Sequence, residues 1–293
     1  MTVLEHIGAA TKRLVRAGLT SDLAAVDAEV LARHVLRWNQ ATYLSNRTEK
    51  APINFNQHYE LVLCRRERRE PVSLITGYKE FWNLEFEVTS DVLTPRPETE
   101  ILIEEVLALI NDPLTTTVSI VDVGTGSGCI VVTLACQLPM AKLTATDISE
   151  SAIAIAQRNA ERHGVINRIS WIRSPLLDGI TDQQNLIVAN LPYIPASKVS
   201  HLLPEIREFE PLIALVGGED GLDIIRGLIA AARQRLVLGG HLIIEFGEEQ
   251  SEKILTLVST QPGLSVVCIR KDLQGIPRAA IIRRTEPGSY SNH

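Results

Sequence analysis

Several features that would assign a chain of 293 residues to a large protein class are missing. The four cysteines, Cys64, Cys129, Cys136 and Cys268, form no Cys-x-x-Cys pair, and the seven histidines are scattered. This distribution argues against a structural zinc site. Four cysteines are also too few for a disulfide framework, so we expect reduced thiols and a cytoplasmic protein.

An excess of positive charge and a long apolar run are also absent. Lys and Arg total 29 against 35 for Asp and Glu, which gives a net charge of −6. Proteins that hold nucleic acid by its phosphates usually carry a strong basic excess, and a membrane-spanning helix needs ~20 apolar residues. Residues 1–18 lack a secretory signal, and Glu5 favours an ordinary helix over a mitochondrial presequence. We therefore expect no membrane association and no stable nucleic-acid binding.

Apolar residues at helical spacing predict three helices within residues 1–70. The first begins near Val3, the second follows a cap at Ser21, and the third covers residues 55–69. The charged run at 65–70 is interpreted either as a solvated helix end or as a docking patch for an anionic partner. Pro71 is expected to end the helical region. The apolar face of the second helix is predicted to contain Leu23, Val26, Val30, Leu31, Val35 and Leu36.

The pattern changes to strands after residue 80. Residues 80–88 alternate apolar and polar side chains, which predicts a short strand or a hairpin. From residue 117, apolar strands alternate with helices, which predicts βαβ units and a mostly parallel sheet. The predicted strands are 119–123, 142–146, 169–172, 186–189 and 241–245. Strands 265–270 and 279–284 are joined by a loop too short for a parallel crossover, so we expect an antiparallel hairpin at one edge.

The predicted organisation is an α/β protein with a small helical domain at its N-terminus. The helical domain covers 1–70, a β-hairpin linker 71–95, and the Rossmann-like domain 96–286, followed by a frayed tail over 287–293.

A glycine-rich turn follows the first strand of the predicted sheet. Gly124, Gly126 and Gly128 come directly after the strand that ends with Asp122 and Val123, and they allow a ligand to approach the backbone closely. Asp147 lies 147 − 124 = 23 residues after the first glycine, at the end of the next strand. Its carboxylate can accept both hydroxyls of a ribose, although an ordinary helix N-cap is the alternative.

Asn190, Leu191, Pro192 and Tyr193 follow the fourth strand, at the same predicted edge of the sheet. The Asn190 side-chain oxygen and the next backbone carbonyl can both accept an N–H from one NH₂ group. Such a pair suits a planar amide or an exocyclic amine, although Asn and Pro are also common in simple turns.

These residues together resemble the HemK/PrmC family of protein-(glutamine-N5) methyltransferases, which modify peptide-chain release factors. The resemblance covers nearly the whole chain. The glycine loop is similar to the S-adenosylmethionine loop of Rossmann-like class I methyltransferases in general. More specific segments are Glu80-Phe81-Trp82-Asn83-Leu84, Thr94-Pro95-Arg96-Pro97-Glu98-Thr99-Glu100, Phe209-Glu210-Pro211-Leu212, Gly217-Gly218-Glu219-Asp220-Gly221-Leu222, Gly239-Gly240, and Lys271-Asp272-Leu273 with Gly275 and Arg278.

The resemblance implies a role for each matching position. Asn190 corresponds to the asparagine of an Asn-Pro-Pro-Tyr motif that holds the substrate glutamine amide, and Pro192 and Tyr193 match its last two residues. The methionine end of S-adenosylmethionine would lie on the loop, and Asp147 would bind its ribose. The loop residues concerned are Gly124, Thr125, Gly126, Ser127 and Gly128.

Two positions depart from the family pattern. Leu191 replaces the first proline, which removes the restraint on φ but leaves a carbonyl acceptor. Pro175 replaces an acidic residue that reaches the adenine amino group, and Leu176 after it offers only apolar contact; Asp178 is a possible substitute. An N6-adenine methyltransferase acting on DNA or RNA, and a catalytically impaired relative that acts as a binding protein, are the alternative functions.

Overall fold

The computed structural model describes residues 1–110 and 112–286. The predicted tail at 287–293 lies outside the described residues. Helices α1–α11 span Val3–Arg16, Ser21–Leu36, Gln40–Asn46, Phe55–Glu67, Val72–Thr76, Glu100–Ala108, Cys129–Gln137, Glu150–Arg162, Pro204–Arg207, Asp223–Arg235 and Ser251–Ser259. Strands β1–β9 span Tyr78–Phe81, Leu84–Glu87, Ser119–Val123, Lys142–Asp147, Ile169–Arg173, Gln184–Ala189, Leu236–Glu245, Leu264–Lys271 and Pro277–Arg284.

The chain divides into two compact units. The first comprises Met1–Tyr78 together with Leu203–Phe209, and the second comprises Lys79–Leu202 and the described chain from Glu210 onward. The short segment 203–209 lies far along the sequence from the rest of the helical unit. The ranges 1–70, 71–95 and 96–286 stay predictions as functional domains.

The helical unit has its own apolar core, in which Leu14, Leu31 and Tyr59 are nearly inaccessible to solvent. Helix α1 begins with a capping box, because Thr2 accepts from the Glu5 backbone and Glu5 accepts in return from the Thr2 backbone. Helix α2 is capped by Thr20, one residue before the predicted cap. Two further helices, α3 and α5, were not predicted.

The predicted apolar face of α2 was partly wrong: Leu31 is buried and Val35 and Leu36 pack against the core, as predicted. Leu23 and Val26 are exposed, at 44% and 59% of their surface. The buried residues of α2 are Ala24, Asp27, Ala28, Leu31 and Ala32. These positions also repeat at helical spacing, but small alanines give a weak hydrophobic signal in the sequence. Pro71 does not end the helical region; it precedes α5, where a missing N–H costs little.

Both interpretations of the charged run were wrong for Arg66 and Arg69, whereas Arg65 and Arg68 are exposed, as the solvated interpretation predicted. Arg66 is buried, and its Nε lies 2.7 Å from Asp27 Oδ2. Glu205, from the segment 203–209, lies 3.2 Å from Arg66 and 2.7 Å from Arg69. Because these guanidinium groups are bound to carboxylates inside the unit, they are unavailable to an anionic partner.

The second unit begins with a β-hairpin formed by β1 and β2, which confirms the hairpin prediction. Its two turn residues, Trp82 and Asn83, both have positive φ angles, 51° and 58°. Two consecutive left-handed residues are typical of the type I′ turn, whose twist matches that of paired strands.

The seven-stranded sheet has the order β5-β4-β3-β6-β7-β9-β8. Strands β3 to β7 are parallel, and β8 and β9 form the predicted antiparallel edge hairpin, with β9 beside β7. One face packs against α6, α7 and α8, and the other against α10 and α11. The strand order reverses between β3 and β6, and in such sheets ligands bind beyond the carboxyl ends of the strands at that point. No helix within the described residues is both long and apolar enough to cross a bilayer.

Candidate functional site

A cavity of about 450 Å³ lies at the carboxyl ends of the central strands, within the volume range of small-molecule sites. Residues 124–127 after β3, 147–149 after β4, 174–176 after β5 and 190–192 after β6 form its walls. The lining contains no histidine. Among the described residues, no cluster of His, Cys, Asp and Glu could hold a metal ion.

The glycine loop lines this cavity and borders free space. The φ angles of Gly124, Gly126 and Gly128 are 71°, 55° and 80°, which glycine adopts without strain. A Cβ added to Gly126 would meet no other heavy atom closer than 4.0 Å, so this backbone borders free space. Gly128 differs, because it caps α7, packs on Ala156 and does not line the cavity. Thr125 and Ser127 both line it.

Asp122 fixes this loop by hydrogen bonds. Its Oδ2 accepts from the Thr125 hydroxyl at 2.7 Å and from the Val131 backbone at 3.2 Å. Only 1% of the Asp122 surface is accessible, and this burial raises the pKa of its carboxyl to about 7. The carboxyl therefore joins the loop to the first turn of α7 without lining the cavity.

Asp147 points its carboxylate toward the same loop. Its Oδ2 accepts from the Gly126 backbone at 2.9 Å, and its Oδ1 accepts from the Ser149 backbone at 2.8 Å. A carboxylate oxygen can accept two hydrogen bonds, so each oxygen keeps a further acceptor position for a ligand hydroxyl. The backbone bonds fix the side chain at the cavity wall, where Asp147 is part of the lining.

Asn190 belongs to a hydrogen-bond chain that the sequence did not reveal. Its Nδ2 donates to Thr99 Oγ1 at 2.9 Å, and Thr99 donates to Glu245 Oε2 at 2.7 Å. The Tyr193 hydroxyl donates to the other carboxylate oxygen of Glu245 at 3.2 Å. Thr99 and Glu245 are each 2% exposed. The only available signal for Glu245 was an acidic residue at the carboxyl end of an apolar strand.

Burial also shifts the pKa values of Glu245 and Tyr193 in this hydrogen-bond chain. Complete removal from solvent raises the pKa of Glu245 to about 7, while hydrogen bonds from Thr99 and Tyr193 oppose the shift. The pKa of Tyr193 is raised, because the phenol is largely buried and lies beside Glu245. The tyrosine is therefore neutral and acts as a donor at physiological pH.

Tyr193 itself is not among the cavity-lining residues, unlike Asn190, Leu191 and Pro192. Its backbone carbonyl accepts from Gln250 Nε2 at 2.9 Å. A Cβ on Gly221 would lie 2.2 Å from the same carbonyl oxygen, which a side chain cannot tolerate. The absence of side chains in the glycine-rich segment at 217–221 thus allows the backbone of the turn after β6 to lie directly against it.

The segment after β5 contributes apolar wall. Pro175 and Leu176 line the cavity, whereas Asp178 is exposed and outside the lining. Leu176 has a φ of 47°, and its carbonyl accepts from the Thr146 hydroxyl at 2.9 Å. The acidic substitute considered from the sequence is therefore not part of the cavity.

Arg96, in the segment before α6, also lines the cavity. One of its terminal nitrogens, Nη2, lies 2.7 Å from both carboxylate oxygens of Glu210, which is buried. Desolvation raises the pKa of Glu210, and the nearby guanidinium opposes that shift. The pair anchors the cavity-lining residues before α6 to the segment that follows α9.

Comparison with known proteins finds related sequences over nearly the whole chain. Residues 5–77 match the family described as the PrmC N-terminal domain, and residues 98–205 match the methyltransferase small domain. A release factor glutamine methyltransferase of Cereibacter sphaeroides is 38% identical over 283 residues, which are 97% of this chain and 99% of that protein. The Geobacter sulfurreducens protein of the same name is 43% identical over 235 residues, or 77% and 80% of the two chains. A methyltransferase structure from Pyrococcus furiosus aligns with a TM-score of 0.51 at 17% identity, covering 79% of this chain and 98% of that one.

Proposed function

This chain belongs to the release factor glutamine methyltransferase family, and we propose that Asn190 and Leu191 hold the side-chain amide of a release-factor glutamine for methylation at N5. The reaction is S-adenosylmethionine-dependent methyl transfer. The observation that carries the site assignment is the Asn190–Thr99 hydrogen bond, which occupies the amide nitrogen of Asn190 at the cavity wall.

The cavity fits S-adenosylmethionine. The free space above Gly126 leaves room for a ligand against the backbone, and Thr125 and Ser127 add hydroxyls at the same wall. The free acceptor positions of Asp147 suit ribose hydroxyls, and the apolar Pro175 and Leu176 suit the face of an adenine ring. Pro175 can supply no side-chain acceptor to the adenine amino group.

The cofactor supplies a methyl group already activated on a cationic sulfonium. The task left to the chain is to orient a poor nucleophile, because the amide nitrogen shares its lone pair with the carbonyl. Asn190 Oδ1 and the Leu191 carbonyl each accept one N–H of the substrate amide, which aims the nitrogen at the methyl group. Both oxygens stabilise the positive charge that develops on that nitrogen. The proton then leaves to water or to a backbone acceptor.

The partner in this proposal is a peptide-chain release factor, and the location is the cytoplasm, where such a substrate works. The same acceptor pair could hold the exocyclic NH₂ of adenine, but the net charge of −6 favours a protein substrate over a polynucleotide.

The decisive experiment incubates the purified protein with methyl-labelled S-adenosylmethionine and either a release factor or adenine-containing DNA and RNA. We expect label only in the release factor, with mass spectrometry locating one methyl group on a glutamine side chain. Label in nucleic acid, or on another side chain, would contradict the proposal. Cofactor binding without transfer to either substrate would indicate an impaired relative.

A further inference from the structure

The carboxylate of Glu245 lies two hydrogen bonds away from Asn190. It is buried, it accepts from Thr99 at 2.7 Å, and Thr99 in turn accepts from Asn190 at 2.9 Å. Glu245 does not line the cavity, so it can act on the substrate amide only through Thr99 and Asn190. Thr99 lines the cavity, and its hydroxyl donates to Glu245 and accepts from Asn190.

The polarity of this chain is set by chemistry. The two ends of a carboxamide are similar in size, so a short contact alone does not decide whether nitrogen or oxygen faces Thr99. A carboxylate, however, can only accept hydrogen bonds. When Glu245 is ionised, Thr99 must give its one hydroxyl proton to that carboxylate, so Thr99 can only accept from Asn190. The amide of Asn190 then turns its NH₂ toward Thr99 and keeps Oδ1 for the substrate.

We infer that Glu245 and Thr99 are positioning residues that orient the Asn190 amide as a hydrogen-bond acceptor, and so make the site select a carboxamide over a carboxylate; this inference rests on the proposed function. Tyr193 supports the arrangement, because its hydroxyl donates to the remaining oxygen of Glu245 and supplies a second donor to the carboxylate. When the hydrogen bonds from Asn190 through Thr99 to Glu245 are lost, the Asn190 amide can rotate by half a turn. It then presents its NH₂ group, which suits a carboxylate instead.

The chain offers matched variants for a test. Thr99→Val keeps the shape of the side chain and removes its hydroxyl, and Thr99→Ser restores the hydroxyl. Glu245→Gln replaces the carboxylate with a group that can also donate. Thr133→Val is the control, because Thr133 is fully buried and its hydroxyl has no hydrogen-bond partner among the described residues.

The experiment measures kcat for methyl transfer to a release factor, and inhibition by the same factor with its acceptor glutamine replaced by glutamate. For Thr99→Val and Glu245→Gln we expect kcat to fall by about tenfold or more, with unchanged cofactor affinity by calorimetry. The preference for glutamine over glutamate should fall by a similar factor. Thr99→Ser should keep the preference for glutamine over glutamate, and Thr133→Val should behave as the wild type.

A merely structural role predicts something else. In that case Thr99→Val would lower the melting temperature without altering the preference for glutamine. Thr99→Ser and Thr99→Val would then show the same preference for glutamine over glutamate. An unchanged preference in folded Thr99→Val and Glu245→Gln would overturn the inference while leaving the proposed function intact. Failure of the wild-type protein to methylate glutamine would overturn both.

Discussion

A Cβ atom on Gly124 would lie 2.8 Å from Cδ2 of Leu191. The side chain that replaces the family's proline thus occupies the space left by a glycine of the cofactor loop. Leu191 is 6% exposed and also lines the cavity. The two segments that would hold donor and acceptor are therefore in direct contact, and a change in either should be felt by the other.

Replacement of Gly124 by alanine tests this contact. The new methyl group would force Leu191 to move, and the φ of 71° costs a residue with a Cβ about 1–2 kcal/mol. We expect weaker binding of S-adenosylmethionine by calorimetry and slower transfer. The double variant Gly124→Ala with Leu191→Ala should regain part of the affinity, since the clash is gone and only the backbone strain persists. Equal losses in both variants would show that the contact is unimportant.

Asn190→Ala removes the proposed side-chain acceptor. We expect folding and cofactor affinity to be kept and methyl transfer to fall by about 10²-fold or more, because loss of one preorganised polar contact in an active site costs that much. The matched control is Asn167→Ala, at an exposed position outside the cavity. Near-full activity of Asn190→Ala would refute the assigned role.

Asp147→Ala should act on the cofactor. Loss of the carboxylate removes the acceptors proposed for the ribose and also releases the Gly126 backbone, so we expect the dissociation constant for S-adenosylmethionine to rise. Asp178→Ala serves as the comparison, because that carboxylate is exposed and outside the cavity. Calorimetry that finds equal affinities in the two variants would exclude the ribose assignment.

Glu245 should make stability depend on pH. Burial raises its pKa from the ordinary value of 4.5 to about 7, so between these values the folded protein binds more protons than the unfolded chain. Its contribution to the free energy of unfolding is fully present below pH 4.5 and is lost as the pH rises to about 7. Glu245→Gln lacks this dependence. The stability of the variant relative to the wild type should therefore increase across the window, by up to about 3 kcal/mol. Urea unfolding at several pH values measures the difference, and a constant difference would contradict the shift.

The same ionisation should appear in catalysis. Only the ionised carboxylate fixes the polarity of the chain through Thr99, so kcat should rise with pH through the pKa of Glu245. Two charged groups act on the pKa of Glu245: Glu98 raises it and Arg278 lowers it. The Tyr193 hydroxyl and the Cys129 thiol are the other titratable groups that interact with it. Both thiol and phenol stay neutral in this range, since burial raises the pKa of each. A flat profile for the wild type would count against the orienting role.

The sequence predicted most of the sheet because each strand is a short apolar run bounded by turn residues. The strand over 119–123 matches β3 at both ends, and the hairpin at the edge follows from a loop too short for a crossover. The face of α2 was wrong at Leu23 and Val26 because most of its buried positions are alanines, which a hydrophobic pattern weights weakly. The ion pairs of Arg66 were not predictable, since one partner lies 139 positions later in the chain.

The sequence by itself determined the chemistry available at one edge of the sheet: the glycines after β3, Asp147 after β4 and Asn190 after β6 all follow strands, and parallel strands bring their carboxyl ends together. Tertiary structure alone decided which end of the Asn190 amide faces outward. That choice depends on Thr99 and Glu245, 91 and 55 positions away along the chain (190 − 99 and 245 − 190), and on a burial deep enough to remove competing water. Local patterns report on neighbours within a few residues, whereas a hydrogen-bond chain of this kind exists only once the sheet and α6 have packed together.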